Sequence, residues 1–283
     1  MGLRLEVMVS AEQPASSPIC VNAPTATGAA PDVLLLRGLG RESGHWLSFP
    51  EELQRRLGSN VYALDNPGVG SERGRQAPWS MAATADDIVE RFNRQREGRA
   101  AAGAFIVVGL SLGGMLALEI SARGLPGLVG GVVINSSSPR GTWIWQRIRP
   151  VPFWSMLKTL VQGTVALERT MIPFTMNNVE ARQRSAAVRE EIAVKRPVSG
   201  STFWAQCMCA ATWRPPKQCA LPLLILASSA DKLVHPVCST VLAKQYGAAL
   251  KCHPTAGHDI TSDDGQWVQD SIVEWLNASS AKA

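Results

Sequence analysis

Continuous apolar runs separated by polar stretches are the feature that most constrains the fold of this chain. The five runs cover residues 33–36, 61–64, 105–108, 131–134 and 221–227, and none contains a charged residue. Such runs are typical of strands that are covered on both faces, as in a parallel sheet between layers of helix. The sequence therefore predicts several buried parallel strands.

Helical periodicity fills much of the sequence between these runs. The predicted helices cover residues 82–94, 112–121 and 266–277. In the last of them, Val268, Ile272 and Leu276 share one face, which is the pattern of a helix packed on a sheet. Strands that alternate with helices predict an α/β fold with a mostly parallel central sheet flanked by helices.

One long segment, residues 137–217, breaks this rhythm because it contains no clear buried strand. It holds twelve basic and four acidic residues, a net charge of +8 in a chain whose total is +5, and five of the nine tryptophans. The sequence predicts a core domain formed by residues 1–136 and 218–283, with a mainly helical cap, or lid, inserted at 137–217. Because the basic residues cluster there, they do not form a chain-wide nucleic-acid surface.

The strongest chemical signal is the segment Gly109-Leu-Ser-Leu-Gly-Gly114, which joins a predicted strand to a predicted helix. A turn this tight leaves no room for side chains two residues before and two after the serine, hence the glycines. The turn raises the Ser111 hydroxyl above the sheet edge and directs the amino terminus of the helix towards it. Ser111 is therefore the candidate nucleophile.

A serine hydroxyl needs a base, and His258 is the first candidate among four histidines. It lies in a glycine-containing loop after the predicted strand 248–253, at a sheet edge where polar groups of parallel sheets gather. His45 follows the first buried run and is the second choice. His253 is interpreted as a structural residue, and His235, next to Pro236, as a capping or surface residue.

The base in turn needs a carboxylate that holds its tautomer and stabilises the imidazolium. Asp231 stands just beyond the run 221–227 and is the first choice. Asp263 and Asp264 are alternatives, although their position predicts that they cap the last helix. The sequence thus orders the candidate triad as Ser111, Asp231 and His258.

An oxyanion requires two further donors. The backbone N–H of Leu112, directly after the nucleophile, is one candidate. The other is the N–H of Leu39, in the loop Arg37-Gly-Leu-Gly40 that follows the first buried run. The flanking glycines allow this backbone to approach the reacting atoms closely.

Together, these motifs resemble the α/β-hydrolase superfamily, in its serine esterase and lipase-like branch. The resemblance covers about residues 30–136 and 218–277, and it also includes Asp65-Asn-Pro-Gly-Val-Gly-Ser71. It implies a Ser-Asp-His triad, a variable cap over the acyl pocket and no cofactor or metal. Many relatives have histidine where this chain has Arg37, so Arg37 is interpreted either as a brace for the oxyanion loop or as a contact for an acidic substrate group.

The preferred function is hydrolysis of carboxylic esters through an acyl-enzyme. The basic cap keeps open a second function, hydrolysis of esters or thioesters carried by an acidic acyl carrier such as acyl carrier protein or coenzyme A. A non-catalytic binding protein, acyl transfer to another acceptor and docking on a membrane surface are further alternatives. The candidate substrate contacts, besides Arg37, are Trp154, Trp204 and Leu233.

The sequence contains few signals that indicate the cellular compartment. No apolar stretch is long enough for a membrane-spanning helix, and the amino terminus lacks the apolar core of a secretory signal. The six cysteines contain no C-x-x-C pair, so reduced thiols are expected. The sequence predicts a cytoplasmic protein.

Overall fold

A computed structural model of the protein describes residues 30–97, 103–137 and 140–280. Its centre is a six-stranded, entirely parallel sheet in the order β2-β1-β3-β4-β5-β6. The strands are β1 Asp32–Leu36, β2 Val61–Leu64, β3 Phe105–Leu110, β4 Leu128–Ile134, β5 Leu223–Ser228 and β6 Ala249–His253. The predicted α/β fold is confirmed. The predicted core also includes residues 1–29, which lie outside the described residues.

Eleven α-helices lie in the described ranges. They are α1 Phe49–Leu57, α2 Met81–Arg96, α3 Leu112–Ser121, α4 Ile144–Arg147, α5 Pro150–Leu160, α6 Thr164–Thr175, α7 Val179–Lys195, α8 Gly200–Thr212, α9 Val237–Tyr246, α10 Ile260–Asp263 and α11 Gly265–Ser280. Short 3-10 helices cover Ser43–Trp46 and Gly70–Glu72. None of the helices in this part of the chain is long and apolar enough to cross a membrane.

The sheet has a hydrophobic core on each face, which explains the unbroken apolar runs. In β1, Leu34 and Leu36 enter the core shared with α2, α3 and α9. Val33 and Leu35 enter the opposite core, shared with α1 and α11. Because successive strand residues point to opposite faces, a strand covered on both sides must be apolar at every position.

Five helices, α4 to α8, and no strand occupy residues 140–217 of the described chain. This segment leaves the sheet after β4 and returns to it at β5, and these two strands are hydrogen-bonded neighbours. The α6–α7 connection packs on the loop after β6, where Asp259 N–H donates to Thr175 O at 2.7 Å. The helical segment therefore lies over the carboxyl edge of the sheet, where the candidate site residues gather.

Candidate active site

Ser111 occupies the turn between β3 and α3 with φ +60° and ψ −117°. A non-glycine residue in the left-handed region is strained and persists only where its surroundings hold it. Here Ser111 N–H donates to Ile134 O at 2.9 Å, and Ser136 Oγ donates to Ser111 O at 2.9 Å. A Cβ on Gly109 would overlap the Gly113 carbonyl, so this turn cannot form with a larger residue there.

His258 and Asp231 form a buried pair, with Nδ1 of the histidine 2.7 Å from Oδ2 of the aspartate. The other carboxylate oxygen accepts from Leu233 N–H at 2.7 Å and from Val234 N–H at 2.9 Å. A proton on Nδ1 satisfies this contact and leaves Nε2 as an acceptor. Nε2 is buried without a hydrogen-bond partner in the described part of the chain, so it is available to a proton donor.

The three candidate triad residues follow β3, β5 and β6, and the carboxyl ends of these parallel strands share one edge of the sheet. The structure joins His258 directly to Asp231, but it closes no hydrogen bond between His258 Nε2 and Ser111. Such bonds are often long before substrate binds. The arrangement provides a serine, an acceptor nitrogen and a fixed carboxylate at one sheet edge.

The loop after β1 lies directly against the nucleophile. A Cβ on Gly38 would lie 3.1 Å from Ser111 Cβ and 3.5 Å from Ser111 Oγ, so the glycine permits this approach. Leu39 follows in the same loop, while Leu112 is the first residue of α3 and its N–H has no acceptor inside the helix. Gln206 Oε1, on α8, accepts from Gly40 N–H at 2.7 Å and so connects the loop to the helical segment 140–217.

Asn135 is a residue that sequence reasoning missed. It follows β4 with φ +43°, and its side-chain amide donates to His258 O at 2.7 Å and Gly257 O at 3.3 Å. Its Oδ1 accepts from Ser228 N–H at 2.9 Å. Asn135 therefore fastens the histidine loop to the end of β5. The available signal was its place, a polar residue directly after a buried run at the carboxyl edge.

A model of the Alpha/beta hydrolase family matches residues 33–270, most of the chain. The chain belongs to this family. It is 33% identical over 114 residues to the pimeloyl-acyl-carrier-protein methyl ester esterase of Methylococcus capsulatus, a match that covers 40% of each chain. It is 32% identical over 116 residues to an esterase of Mycobacterium tuberculosis, covering 40% of this chain and 35% of that protein. The matches thus span about two fifths of these relatives' length.

Solved structures show that this alpha/beta hydrolase shares its fold with varied enzymes. A thermophilic esterase from Thermogutta terrifontis has a TM-score of 0.67 and 21% identity, over 89% of this chain and 91% of its own. The enol-lactonase from Burkholderia xenovorans has a TM-score of 0.69 and 17% identity, over 88% and 92%. At this level of identity the likeness concerns the fold alone.

Arg37 in this alpha/beta hydrolase is buried, and both terminal nitrogens of its guanidinium are hydrogen-bonded. Its guanidinium donates to Asp259 Oδ2 at 2.6 Å and Oδ1 at 3.3 Å, and it lies 4.5 Å from the centre of the Trp46 ring. Asp259 directly follows His258, so the ion pair joins the loop of Leu39 to the loop of the candidate base. This placement favours the brace over the alternative prediction that Arg37 contacts an acidic substrate group.

The ion pair extends into the helical segment 140–217. Arg189 of α7 donates to Asp259 Oδ2 at 3.0 Å and to Glu168 Oε1 at 3.4 Å, and Arg41 pairs with the other oxygen of Glu168. Burial by itself raises the pKa of Asp259, but the charges of Arg37 and Arg189 outweigh it and hold that pKa well below its usual range. The buried network therefore fixes α6 and α7 to the two loops that carry the site.

Two carboxylates that the sequence assigned to helix capping have different roles. Asp264 Oδ1 accepts from Trp267 N–H at 3.0 Å, in the first turn of α11. Asp263 instead accepts from Gly257 N–H at 2.6 Å and from Asn177 N–H at 2.7 Å. The capping prediction is therefore wrong for Asp263, which joins the histidine loop to the α6–α7 connection. The partner of His258 Nδ1 is Asp231 rather than either of these carboxylates.

Of the remaining sequence candidates, only Leu233 contacts the hydrogen-bonded centre in the described residues, through its backbone N–H to Asp231. Trp154 and Trp204 are 57% and 51% exposed on α5 and α8. Leu233 is half-buried in the loop after Asp231, and its carbonyl accepts from Arg149 N–H at 2.8 Å. His253 is structural, because its Nδ1 accepts from Ala256 N–H at 2.9 Å.

His45, the second-choice base, is buried in the 3-10 helix after β1, where its Nδ1 accepts from Glu42 N–H at 3.1 Å. Burial, followed by the positive charges of Arg41 and Arg37, holds its pKa well below its usual range. His45 is therefore neutral in the folded protein at pH values where it is protonated in the unfolded chain.

A pH effect on stability follows from His45. The unfolded state takes up the proton below about pH 6.5 and the folded state does not, so folding stability falls as the pH drops through that value. We expect His45 to lower the free energy of unfolding progressively between pH 7.5 and pH 5. The measurement is urea unfolding of wild type and His45→Gln across this range. The variant should lose that slope, whereas the exposed control His235→Gln should keep it. Equal slopes in all three proteins would contradict the assignment.

Proposed function

We propose that this alpha/beta hydrolase cleaves carboxylic esters through an acyl-enzyme. The observation that carries the proposal is the buried His258–Asp231 pair at 2.7 Å, which stands at the sheet edge where strained Ser111 opens α3. The esterases among its relatives support it further.

The proposed reaction assigns one role to each group. Ser111 Oγ attacks the ester carbonyl while His258 Nε2 takes its proton, and Asp231 stabilises the imidazolium that results. The N–H groups of Leu112 and Leu39 bind the oxyanion of the tetrahedral intermediate. His258 then protonates the leaving alcohol, and a water molecule, activated in the same way, releases the acid and restores Ser111.

The domain organisation is part of this proposal. Residues 137–217 form the cap, and the buried Asp259–Arg189–Glu168 network supports a cap that is held firmly over the site. Trp204 of α8 remains a proposed substrate contact, whereas Trp154 is exposed on the outer side of α5. The cytoplasmic location stays a prediction.

A second candidate is an ester attached to an acidic acyl carrier. Four of the five curated relatives with significant similarity are pimeloyl-acyl-carrier-protein methyl ester esterases, and the cap segment has a net charge of +8. Several cap arginines are already paired within the protein, among them Arg189 with Asp259 and Arg196 with Glu42. The carrier would therefore meet fewer basic side chains than the sequence count indicates.

The test combines labelling with a substrate series. Wild-type protein is treated with a fluorophosphonate, and peptide mass spectrometry locates the adduct. We expect a single adduct on Ser111. In parallel, p-nitrophenyl esters from acetate to palmitate report turnover and the preferred acyl length. Turnover without a Ser111 adduct would disprove the assigned nucleophile. The absence of both an adduct and turnover would favour a non-catalytic binding protein.

The carrier candidate needs its own comparison. The kcat/KM is measured for a dicarboxylic acid methyl ester in two forms, free and attached to acyl carrier protein. The products are also analysed when an alcohol is added as a second acceptor beside water. A preference of at least tenfold for the carrier form supports the second candidate. Equal values favour small free esters. If the ester of the added alcohol forms in preference to the free acid, the reaction is acyl transfer rather than hydrolysis.

A further inference from the structure

The outer side of α4 and α5 exposes a group of large apolar side chains. We call this group, together with the basic residues between them, the docking surface. Its most exposed members include Val161 at 88%, Trp143 and Val151 at 66%, Trp154 at 57% and Trp145 at 53%. Soluble monomers rarely expose contiguous apolar patches of this kind unless the patch binds something.

The helix α5 is apolar on the side where a soluble helix is polar. Val151, Trp154 and Leu157 are exposed at successive turns of the helix, and Lys158 is the charged residue among them. At the start of α4, the rings of Trp143 and Trp145 stack with centroids 5.1 Å apart and an interplanar angle of 3°. The exposed apolar side chains therefore cluster along α5 and at the start of α4, two elements that are adjacent in the chain, rather than being scattered singly.

The charge of this surface has a single sign. Residues 140–163 contain four basic residues, Arg140, Arg147, Arg149 and Lys158, and no acidic residue. Exposed Lys232 adds to them, because its neighbour Leu233 accepts a hydrogen bond from Arg149 N–H at 2.8 Å. Arg147 is half-buried and donates to Ala210 O at 2.8 Å, so its charge points into the protein. Lys158 and Lys232 are exposed and give the docking surface its positive charge.

The docking surface also lies beside the candidate site. His235 N–H donates to Gln146 O of α4 at 2.8 Å, and Arg149 N–H donates to Leu233 O. Both bonds fasten the surface to the loop that carries Asp231. A partner bound there is held next to the sheet edge at which the candidate triad gathers.

We propose that the docking surface binds the headgroup layer of an anionic lipid bilayer. Tryptophan side chains favour this layer because they combine a large apolar ring with a polar N–H. Basic side chains between them neutralise lipid phosphates, and exposed valine and leucine enter the acyl boundary. An acidic protein would account for the charge but not for so many exposed apolar side chains. Binding at this surface goes beyond the proposed ester hydrolysis and needs no intact triad.

The test uses the full-length protein and sedimentation with vesicles of phosphatidylcholine, with and without phosphatidylglycerol. We expect binding to the anionic vesicles, a blue shift of tryptophan emission, and loss of binding at high salt. The triple variant W143S/W145S/W154S should bind at least tenfold more weakly, and Lys158→Glu about fivefold or more. The matched control is Trp79→Ser, which removes a tryptophan that is 56% exposed elsewhere and should bind like wild type.

Several results would overturn the proposal. One is the absence of binding to anionic vesicles, and another is equal binding by wild type and the triple variant. A third is self-association of wild type, lost in the triple variant, without vesicle binding, because it would identify a second copy as the occupant. Binding to acidic acyl carrier protein but not to vesicles would identify a protein partner. Thermal unfolding checks that each variant is folded, and repetition in Ser111→Ala separates docking from catalysis.

Discussion

Replacing Ser111 by alanine is expected to lower kcat/KM for the best ester of the series by about 10⁴- to 10⁶-fold. The hydroxyl is the proposed attacking group, and Ser111 is the residue that occupies the strained turn between β3 and α3. Residual turnover above the uncatalysed rate is expected, because the oxyanion donors and the binding surface remain. The measurement is steady-state kinetics on p-nitrophenyl esters with protein purified free of host esterases.

The same experiment tests whether Ser111 and His258 act together. Residues that act as a unit are strongly non-additive, so His258→Ala should cost about as much as Ser111→Ala, and the double variant should be no slower than either. The control is His235→Ala, which removes an exposed histidine and should keep wild-type activity. If the effects of the two single variants multiply in the double variant, the proposed nucleophile–base pair is wrong.

The second large effect is expected at Asp259, which lies outside the proposed triad. Asp259→Ala leaves the buried guanidinium groups of Arg37 and Arg189 without this carboxylate. Removing one partner from a buried ion pair destabilises proteins by about 3–5 kcal/mol, because an uncompensated charge remains buried. We expect a fall in Tm of roughly 10 °C, measured by calorimetry.

Surface pairs provide the control for this variant. Asp270 pairs with Arg56 at the surface, where both side chains are well exposed, so Asp270→Ala should cost less than about 1 kcal/mol. Equal losses in the two variants would show that the buried network contributes no more than a surface pair.

The low pKa of Asp259 gives a second, independent measurement. The folded protein keeps this carboxylate charged at pH values where the unfolded chain protonates it. Its stabilising contribution is therefore complete above about pH 4 and is lost as the pH falls through the lower, folded-state value. Wild type should show this loss in acid unfolding, and Asp259→Ala should lack it.

Much of the fold could be predicted from the sequence because its signals are local. Continuous apolar runs and helical periodicity depend on neighbours within a few residues, and the strands and helices lie close to the predicted ranges. The turn at Ser111 was also predictable, since Gly109 and Gly113 relieve contacts within one strand–turn–helix unit. Asp231 and His258 were found by a topological rule, that the carboxyl ends of parallel strands share one edge.

The sequence by itself thus determined the buried parallel strands, the turn that presents Ser111, and the candidates for its partners, whereas the order of the strands came from the folded structure. The tertiary structure alone decided which charged groups meet, because the pairing of Arg37 with Asp259 joins residues that are 222 positions apart. It likewise decided that Asp263 binds the α6–α7 connection and that Trp143 and Trp154 face outward. Local patterns set the period of an element, whereas side-chain pairing and exposure depend on which elements pack together, and that is decided only in the folded chain.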